Sequence, residues 1–212
     1  MNNKQTLIKI YELSESLAQT LVTLGKFETV PKSQYINLQD QCSTDLWLLL
    51  SGRLALFSAC EERANQSYNI IGPGVPVNEV PLLLGTSAVA DIQTSEESLA
   101  LRVPFTACTE LLKNDIEFLR FISLSVAKKQ RVLHALFQLR AMKSEKRKVL
   151  SALQILTDLN IEGYALTNIN NLSSLLYMSR NRVSKILLTL TDAQDIVQVH
   201  GGYQLTSKHI NE

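Results

Sequence analysis

The sequence predicts an α+β chain made of an N-terminal β-roll, a long dimerisation helix and a C-terminal winged helix-turn-helix. Three observations carry that expectation. Between Phe27 and Val103, short runs rich in β-branched and aromatic residues alternate with turn formers. From Asp115 to Met142, neither proline nor glycine interrupts a heptad spacing of apolar positions. Charge is also unevenly shared: residues 1–119 hold 8 Lys+Arg against 14 Asp+Glu, whereas residues 120–212 hold 13 against 6. Such a split suggests an acidic module joined to one suited to meeting phosphates.

The totals bound the function classes. A chain of 212 residues that is 45% hydrophobic and 19% charged can bury a real core as one large domain or two small ones. No apolar run approaches the roughly 20 residues of a membrane-spanning helix, and the opening Met1-Asn-Asn-Lys-Gln has no leader-like apolar region. The expectation is a cytoplasmic protein with no membrane partner. Cys42, Cys60 and Cys108 are odd in number and far apart, fitting neither a disulfide framework nor a zinc site, so buried or idle thiols are expected. His134, His200 and His209 all lie outside the β region, which argues against a haem or cupin-type metal centre there. No catalytic triad, metal cluster or phosphate loop is present; the expectation is a non-enzyme with no cofactor.

Leu7, Ile10, Leu13, Leu17, Leu21 and Leu24 recur at steps of three and four, predicting one amphipathic helix that ends at Gly25. Strands are predicted at 35–38, 46–50, 53–57, 68–71 and 99–103, with Ser51-Gly52 and Gly72-Pro73-Gly74 as turns. After a short helix over 105–113, the segment 115–142 supports a helix of about 40 Å at the usual 1.5 Å rise. Its seam runs Leu119, Ile122, Val126, Lys129, Leu133, Leu136, Arg140, and the apolar members Leu119, Ile122, Val126, Leu133 and Leu136 are the expected dimer interface. The domain reading is 1–114 for the β-roll with its leading helix, 115–143 for the dimerisation helix and 144–212 for the winged helix-turn-helix. Within the last, Val149, Leu153 and Leu156 mark a helix. A hairpin of 196–199 and 203–205 turns through His200-Gly201-Gly202.

The stretch Met178-Ser-Arg-Asn-Arg-Val-Ser-Lys-Ile-Leu-Leu-Thr-Leu190 holds the chemistry. Val183, Ile186, Leu187 and Leu190 form one apolar stripe, and Ser179 is a natural N-cap. The opposite face carries Asn181, Ser184 and Lys185, and Arg180 and Arg182 flank it in the first turn. Arginine can read guanine, asparagine can read adenine, and lysine or serine can hold phosphate. Cations in a first helical turn oppose the helix dipole, a mismatch that an incoming phosphate relieves.

This stretch resembles the recognition helix of the cyclic-AMP receptor protein (CRP/FNR) superfamily. Two further stretches resemble the same family: Leu46-Trp-Leu-Leu-Leu-Ser-Gly-Arg-Leu-Ala-Leu-Phe57 is similar to its strand-turn-strand. Gly72-Pro-Gly-Val-Pro-Val-Asn-Glu-Val-Pro-Leu-Leu-Leu-Gly85 is similar to its ligand cassette. The resemblance covers nearly the whole chain and implies a cyclic-nucleotide-binding-like jelly roll and a homodimeric transcription regulator. It makes double-stranded DNA the main partner and RNA polymerase a candidate one. Ser179, Arg180, Asn181, Arg182, Ser184 and Lys185, with His200 and Gly201 at the wing, would meet the duplex. Tyr177 departs from the pattern where glycine is usual, and Leu188 where a polar residue is.

In the resembled cassette a Gly-Glu pair and a following Arg-Ser/Thr-Ala hold the nucleotide. Here Asn78 and Glu79 stand at the first pair, and Ala88 and Val89 in the second stretch without any arginine. A phosphate buried against Glu79 and Asp91 would be uncompensated, so the pocket is read as degenerate and no nucleotide binding by that mode is expected. The competing reading is an interaction protein that retains the fold without reading DNA.

Overall fold

The computed structural model describes residues 2–57 and 67–206, so Cys60 and His209 lie outside the described residues. Strands and helices are mixed along the chain. The described residues of Met1–Ala64 and Ile71–Lys129 form one compact unit, and those of Asn65–Ile70 and Gln130–Glu212 form another.

The first unit opens with α1 (Asn3–Tyr11) and α2 (Glu15–Leu24) in place of the single helix expected. Glu12 turns left-handed at φ 54°, and the Ser14 hydroxyl caps α2 by accepting from Leu17 N at 3.1 Å. Leu13 is buried within the break, so the apolar spacing runs through it unaltered and periodicity alone could not reveal two helices. Strands β1 (Lys26–Val30), β2 (Tyr35–Asn37), β3 (Asp45–Ser51) and β4 (Leu54–Phe57) follow, and β5 (Ser67–Ile71), which falls in the second unit except for Ile71, comes next in the chain. They precede α3 (Glu79–Leu84), β6 (Asp91–Thr94) and β7 (Ser98–Pro104). Residue spacing predicts neither β1 nor β6 nor α3, whose short, polar or proline-containing stretches carry too few residues for a clear period.

Strands β1, β7 and β3 pair antiparallel in that order, with Leu48 opposite Leu101 and Leu46 opposite Val103. One face of this sheet is the core: Leu46, Leu48, Leu50, Leu101 and Val103 close over Leu7, Leu17 and Leu21. The other face carries Arg102. Its guanidinium donates to Glu28 Oε2 at 2.7 Å and Asp45 Oδ2 at 2.8 Å, and it lies 4.9 Å from the Trp47 ring. Strands β2, β6 and β4 pair as a second antiparallel sheet.

After α4 (Phe105–Asn114), the helix α5 (Ile116–Leu139) runs for 24 residues and stops short of the expected Met142. Phe118 and Ile122 are fully buried in the first unit's core, and Leu136 and Leu139 are largely buried in the second's. The second unit continues with α6 (Glu145–Leu159), β8 (Ala165–Leu166), α7 (Ile169–Leu176), α8 (Arg180–Asp192), β9 (Ile196–Val199) and β10 (Gly202–Leu205). Strands β8, β10 and β9 pair in that order. Gly202 is the residue that this arrangement requires, because a Cβ there would sit 2.0 Å from the Ala165 carbonyl oxygen. Val149, Leu153, Leu172, Leu176, Val183, Leu187 and Leu190 fill the space between helices and sheet.

The thiols divide as their surroundings dictate: Cys42 is exposed, while Cys108 is buried and desolvation pushes its thiol up to about 12. In a Cys42→Ser, Cys60→Ser variant, Cys108 should therefore stay unreacted with a disulfide reagent in mildly alkaline native buffer and titrate fully in denaturant. Rapid native labelling would contradict this placement.

Candidate nucleic-acid interface

Local capping defines where α8 begins. Ser179 adopts an extended backbone, and its hydroxyl accepts from Arg182 N at 3.4 Å. Val183, Leu187 and Leu190 are buried, which commits that stripe to the core and turns the remaining face outward. Arg180, Asn181, Arg182, Ser184 and Lys185 are all exposed on it, so the residues singled out from the sequence share one accessible surface. Leu188 belongs to that surface too, at 63% exposure.

The helix before it is α7, capped by Asn168 Oδ1 accepting from Asn171 N at 2.9 Å. Between the helices, Tyr177 takes the left-handed conformation at φ 54°, ψ 44°, so it fills the position expected of glycine without displacing the turn. Its ring is covered by the Arg140 guanidinium at 4.3 Å, and the Ser173 hydroxyl donates to the Met178 carbonyl at 2.6 Å. Arg140, which spacing put on the α5 seam, thus lies beyond the end of α5 and serves the turn.

At the hairpin, Val199 pairs with Gly202, leaving His200 and Gly201 as the exposed turn with Gly201 at φ 81°. Two ion pairs frame α8 and were not legible in the sequence. Arg182 Nε lies 2.8 Å from Glu145 Oε2 at the start of α6, and Lys146 Nζ lies 3.1 Å from Asp195 Oδ2. Among the described residues, neither Arg180 nor Lys185 has an ion-pair partner.

The cassette of the first unit is arranged differently from the expectation. Asn78 is left-handed at φ 78°, a conformation asparagine tolerates, and its amide donates to the Asp45 carbonyl at 2.9 Å and also pairs with Asn37. Glu79 is 2% exposed but not uncompensated. Its carboxylate accepts from Ser125 Oγ at 2.6 Å and from Lys129 Nζ at 2.7 and 2.8 Å, and the same ammonium donates to the Pro76 carbonyl at 2.6 Å. Lys129, the cation at a core-type seam position, is therefore the counter-ion of the cassette. Ala88 is buried with its N–H given to the Gln41 carbonyl at 2.9 Å. Val89, assigned to the pocket from the sequence, is instead 67% exposed, its side chain turned out between the buried Ala88 and Ala90.

A polar cavity of about 250 Å³ lies on the Asn78 side, walled by Glu28, Asn37, Ser43, Asp45, Trp47 and Arg102. The arginine in its wall is already held by two carboxylates and offers no spare charge to a phosphate. Among the described residues no cluster of His, Cys, Asp or Glu could hold a metal ion.

The expected dimer seam is also redrawn. Ile122 and Leu136 are consumed inside their own units, whereas Ile116, Leu119, Leu124, Leu133 and Phe137 stay exposed. Ile116, Leu119, Ser123, Val126, Gln130, Leu133 and Phe137 step by three and four, which shifts the outward stripe off the predicted one while keeping Leu119, Val126 and Leu133 in it. No helix among the described residues is long and apolar enough to cross a membrane.

Residues 27–115 match the family of cyclic nucleotide-binding domains. Among solved structures the chain is similar to the c-di-GMP-responsive global regulator CLP of Xanthomonas campestris, at 12% identity over 92% of this chain and 100% of that one, with a TM-score of 0.70. FixK2 from Bradyrhizobium japonicum is similar at 14% identity over 87% and 93%, with a TM-score of 0.72. TTHB099, a CRP-family transcriptional regulator from Thermus thermophilus, is similar at 16% identity over 84% and 91%, with a TM-score of 0.62. At these identities the likeness shows the fold. A search of curated protein sequences finds no match.

The Glu79–Lys129 pair makes a direct prediction about stability. Lys129→Ala leaves a buried carboxylate with Ser125 as its remaining side-chain donor and should destabilise the protein by about 3 kcal/mol, at the low end for a broken buried pair because Lys129 is one-third exposed. Replacing both partners, as Glu79→Leu with Lys129→Met, should recover much of that loss in urea unfolding. Equal midpoints for wild type and Lys129→Ala would show that the pair carries no stability.

Proposed function

We propose that this chain is a member of the CRP/FNR superfamily, a reading supported by the domain family that residues 27–115 match and by the likeness of its fold, and that it is a sequence-specific DNA-binding transcription regulator that works as a homodimer without a cyclic nucleotide. The observation that carries the reading is the first turn of α8. Arg180, Asn181, Arg182 and Lys185 stand exposed around the positive end of a helix whose opposite stripe is fully committed to the core. Cations at that end weaken the isolated helix and gain when a phosphate arrives, whereas a merely solvated helix gains nothing from them.

On this reading α7, α8 and the β9–β10 hairpin act as a winged helix-turn-helix. Arg180 and Asn181 are offered to base edges, Lys185 stands beside them, Ser179, Arg182 and Ser184 meet phosphate, and His200-Gly201 lies along the neighbouring backbone. Dimerisation is supported by the exposed stripe of α5, where Ile116, Leu119, Leu133 and Phe137 await a partner helix. Independence from cyclic nucleotides is supported by chemistry at each cassette position. Glu79 is saturated by Lys129 and Ser125, the Ala88 amide is engaged by Gln41, and no free cation stands where a cyclic phosphate would need one among the residues described there.

A second reading, an interaction protein that keeps the fold without reading DNA, draws on Leu188, an apolar side chain amid the polar face of α8. Selection from a random duplex library separates the two. The regulator should enrich a pseudo-palindrome with half-sites about 34 Å apart. Affinity should fall steeply and linearly on a log-log plot against salt. Arg180→Ala should cost about 1–3 kcal/mol and relax the preference at one base pair per half-site. Absence of salt-sensitive binding to any duplex would overturn the regulator and leave the interaction protein.

A further inference from the structure

We infer that Glu145 is a built-in competitor for phosphate at Arg182, an acidic residue that sets how tightly the α8 face can hold any duplex. The inference rests on the reading of α8 as the DNA-facing helix. Its basis is the way charge is distributed where the first turns of α6 and α8 meet. The start of α6 reads Lys143-Ser-Glu-Lys-Arg-Lys148, one carboxylate among four cations. Helix geometry puts Glu145 directly after the Ser144 cap, where a carboxylate is favoured by the helix dipole, so its presence alone would be unremarked stabilisation.

Its partner is what points further. Two of the cations near it in sequence are engaged elsewhere: Lys146 with Asp195 at 3.1 Å, and Lys148 with the Arg140 carbonyl at 3.2 Å. Arg147 is exposed, with no ion-pair partner among the described residues. The Glu145 carboxylate instead crosses to α8 and takes Arg182 at 2.8 Å, leaving Arg180 and Lys185 without an ion pair among the described residues of the same face. Of the α8 cations, the one whose backbone N–H is also spent on the Ser179 cap is the one neutralised.

A phosphate that takes Arg182 must therefore compete with Glu145 for its charge, and the carboxylate, displaced or not, is left beside a polyanion. Arg182 is 66% exposed, so the exchange needs no unfolding; its penalty is electrostatic and independent of base sequence. The fold thus holds one phosphate contact in reserve, and Arg180, Asn181 and Lys185 act without that restraint.

The test is titration of wild type, Glu145→Gln, Arg182→Ala and the double variant against one selected duplex and one scrambled duplex across a salt series. Glu145→Gln should bind both duplexes about tenfold more tightly at low salt, with the log-log slope steeper by about 0.9 as one more phosphate is neutralised. In the Arg182→Ala background the same substitution should give a much smaller gain and no change of slope. Glu145→Ala, a good helix former without a carboxylate, should repeat the result, and far-UV circular dichroism confirms that each variant is folded. An unchanged affinity and slope for Glu145→Gln, or an equal gain with and without Arg182, overturns the competitor role while leaving DNA reading intact. Wild type that binds no duplex in a salt-dependent way overturns both.

Discussion

A carboxylate placed at the start of α3 in apolar surroundings sets the terms for the first unit. Glu79 is almost wholly removed from solvent, and a charge in that position must be neutralised or the local structure gives way. The neutralising groups come from α5, where Ser125 and Lys129 lie one turn apart and both reach the carboxylate. The face of α5 turned to the first unit is consequently mixed. Phe118 and Ile122 bury hydrocarbon, and Ser125 and Lys129, continuing the same spacing of four, three and four, carry the charge. The register of the helix follows from this. With that stripe committed inward, Ile116, Leu119, Val126, Leu133 and Phe137 are what remain for an outer partner.

The second unit solves the reverse problem, in which charge is kept at the surface and conformation is held by stacking. Tyr177 adopts a left-handed backbone that a non-glycine residue enters at about 1–2 kcal/mol. The Arg140 guanidinium over its ring offsets about 0.5–1 kcal/mol of that at an exposed site, and the αL cap supplies its own hydrogen bond from Tyr177 N to Ser173 O. The turn matters because it determines the direction in which α8 leaves α7. That direction is what lets Val183, Leu187 and Leu190 enter the core while Arg180, Asn181 and Lys185 stay in solvent.

Long apolar periods and local caps were legible in the sequence. The stripe of α8, its Ser179 cap, the β9–β10 hairpin and the strands over 45–57 follow directly from residue spacing. Pairings between distant residues were not. Lys129 looked like a flaw in a coiled-coil seam, since nothing in a one-dimensional pattern says that a residue 50 positions away supplies its counter-ion. The bond from Glu145 to Arg182 likewise spans an interval of loop and helix that no period describes. Ile122 and Leu136 were misassigned for a related reason: a heptad repeat states which residues share a face, and not whether that face meets a second chain or the protein's own core. The break between α1 and α2 was hidden because Leu13 preserved the apolar spacing across it.

The two units place charge by opposite logic, and salt distinguishes them. The Glu79–Lys129 pair is desolvated on the carboxylate side and fixed by four hydrogen bonds, so mobile ions reach it poorly and its contribution persists as ionic strength rises. Arg180, Arg182 and Lys185 stand in solvent, where a Debye length of about 8 Å at physiological ionic strength weakens their attraction for a distant phosphate. Moderate salt should therefore act on the affinity of the α8 face and leave the cassette clamp in place. A buried charge that carries its own counter-ion has no electrostatic need of a ligand, whereas exposed cations around the positive end of a helix do. On the proposed reading, an external anion would be taken up in the second unit, at the first turn of α8.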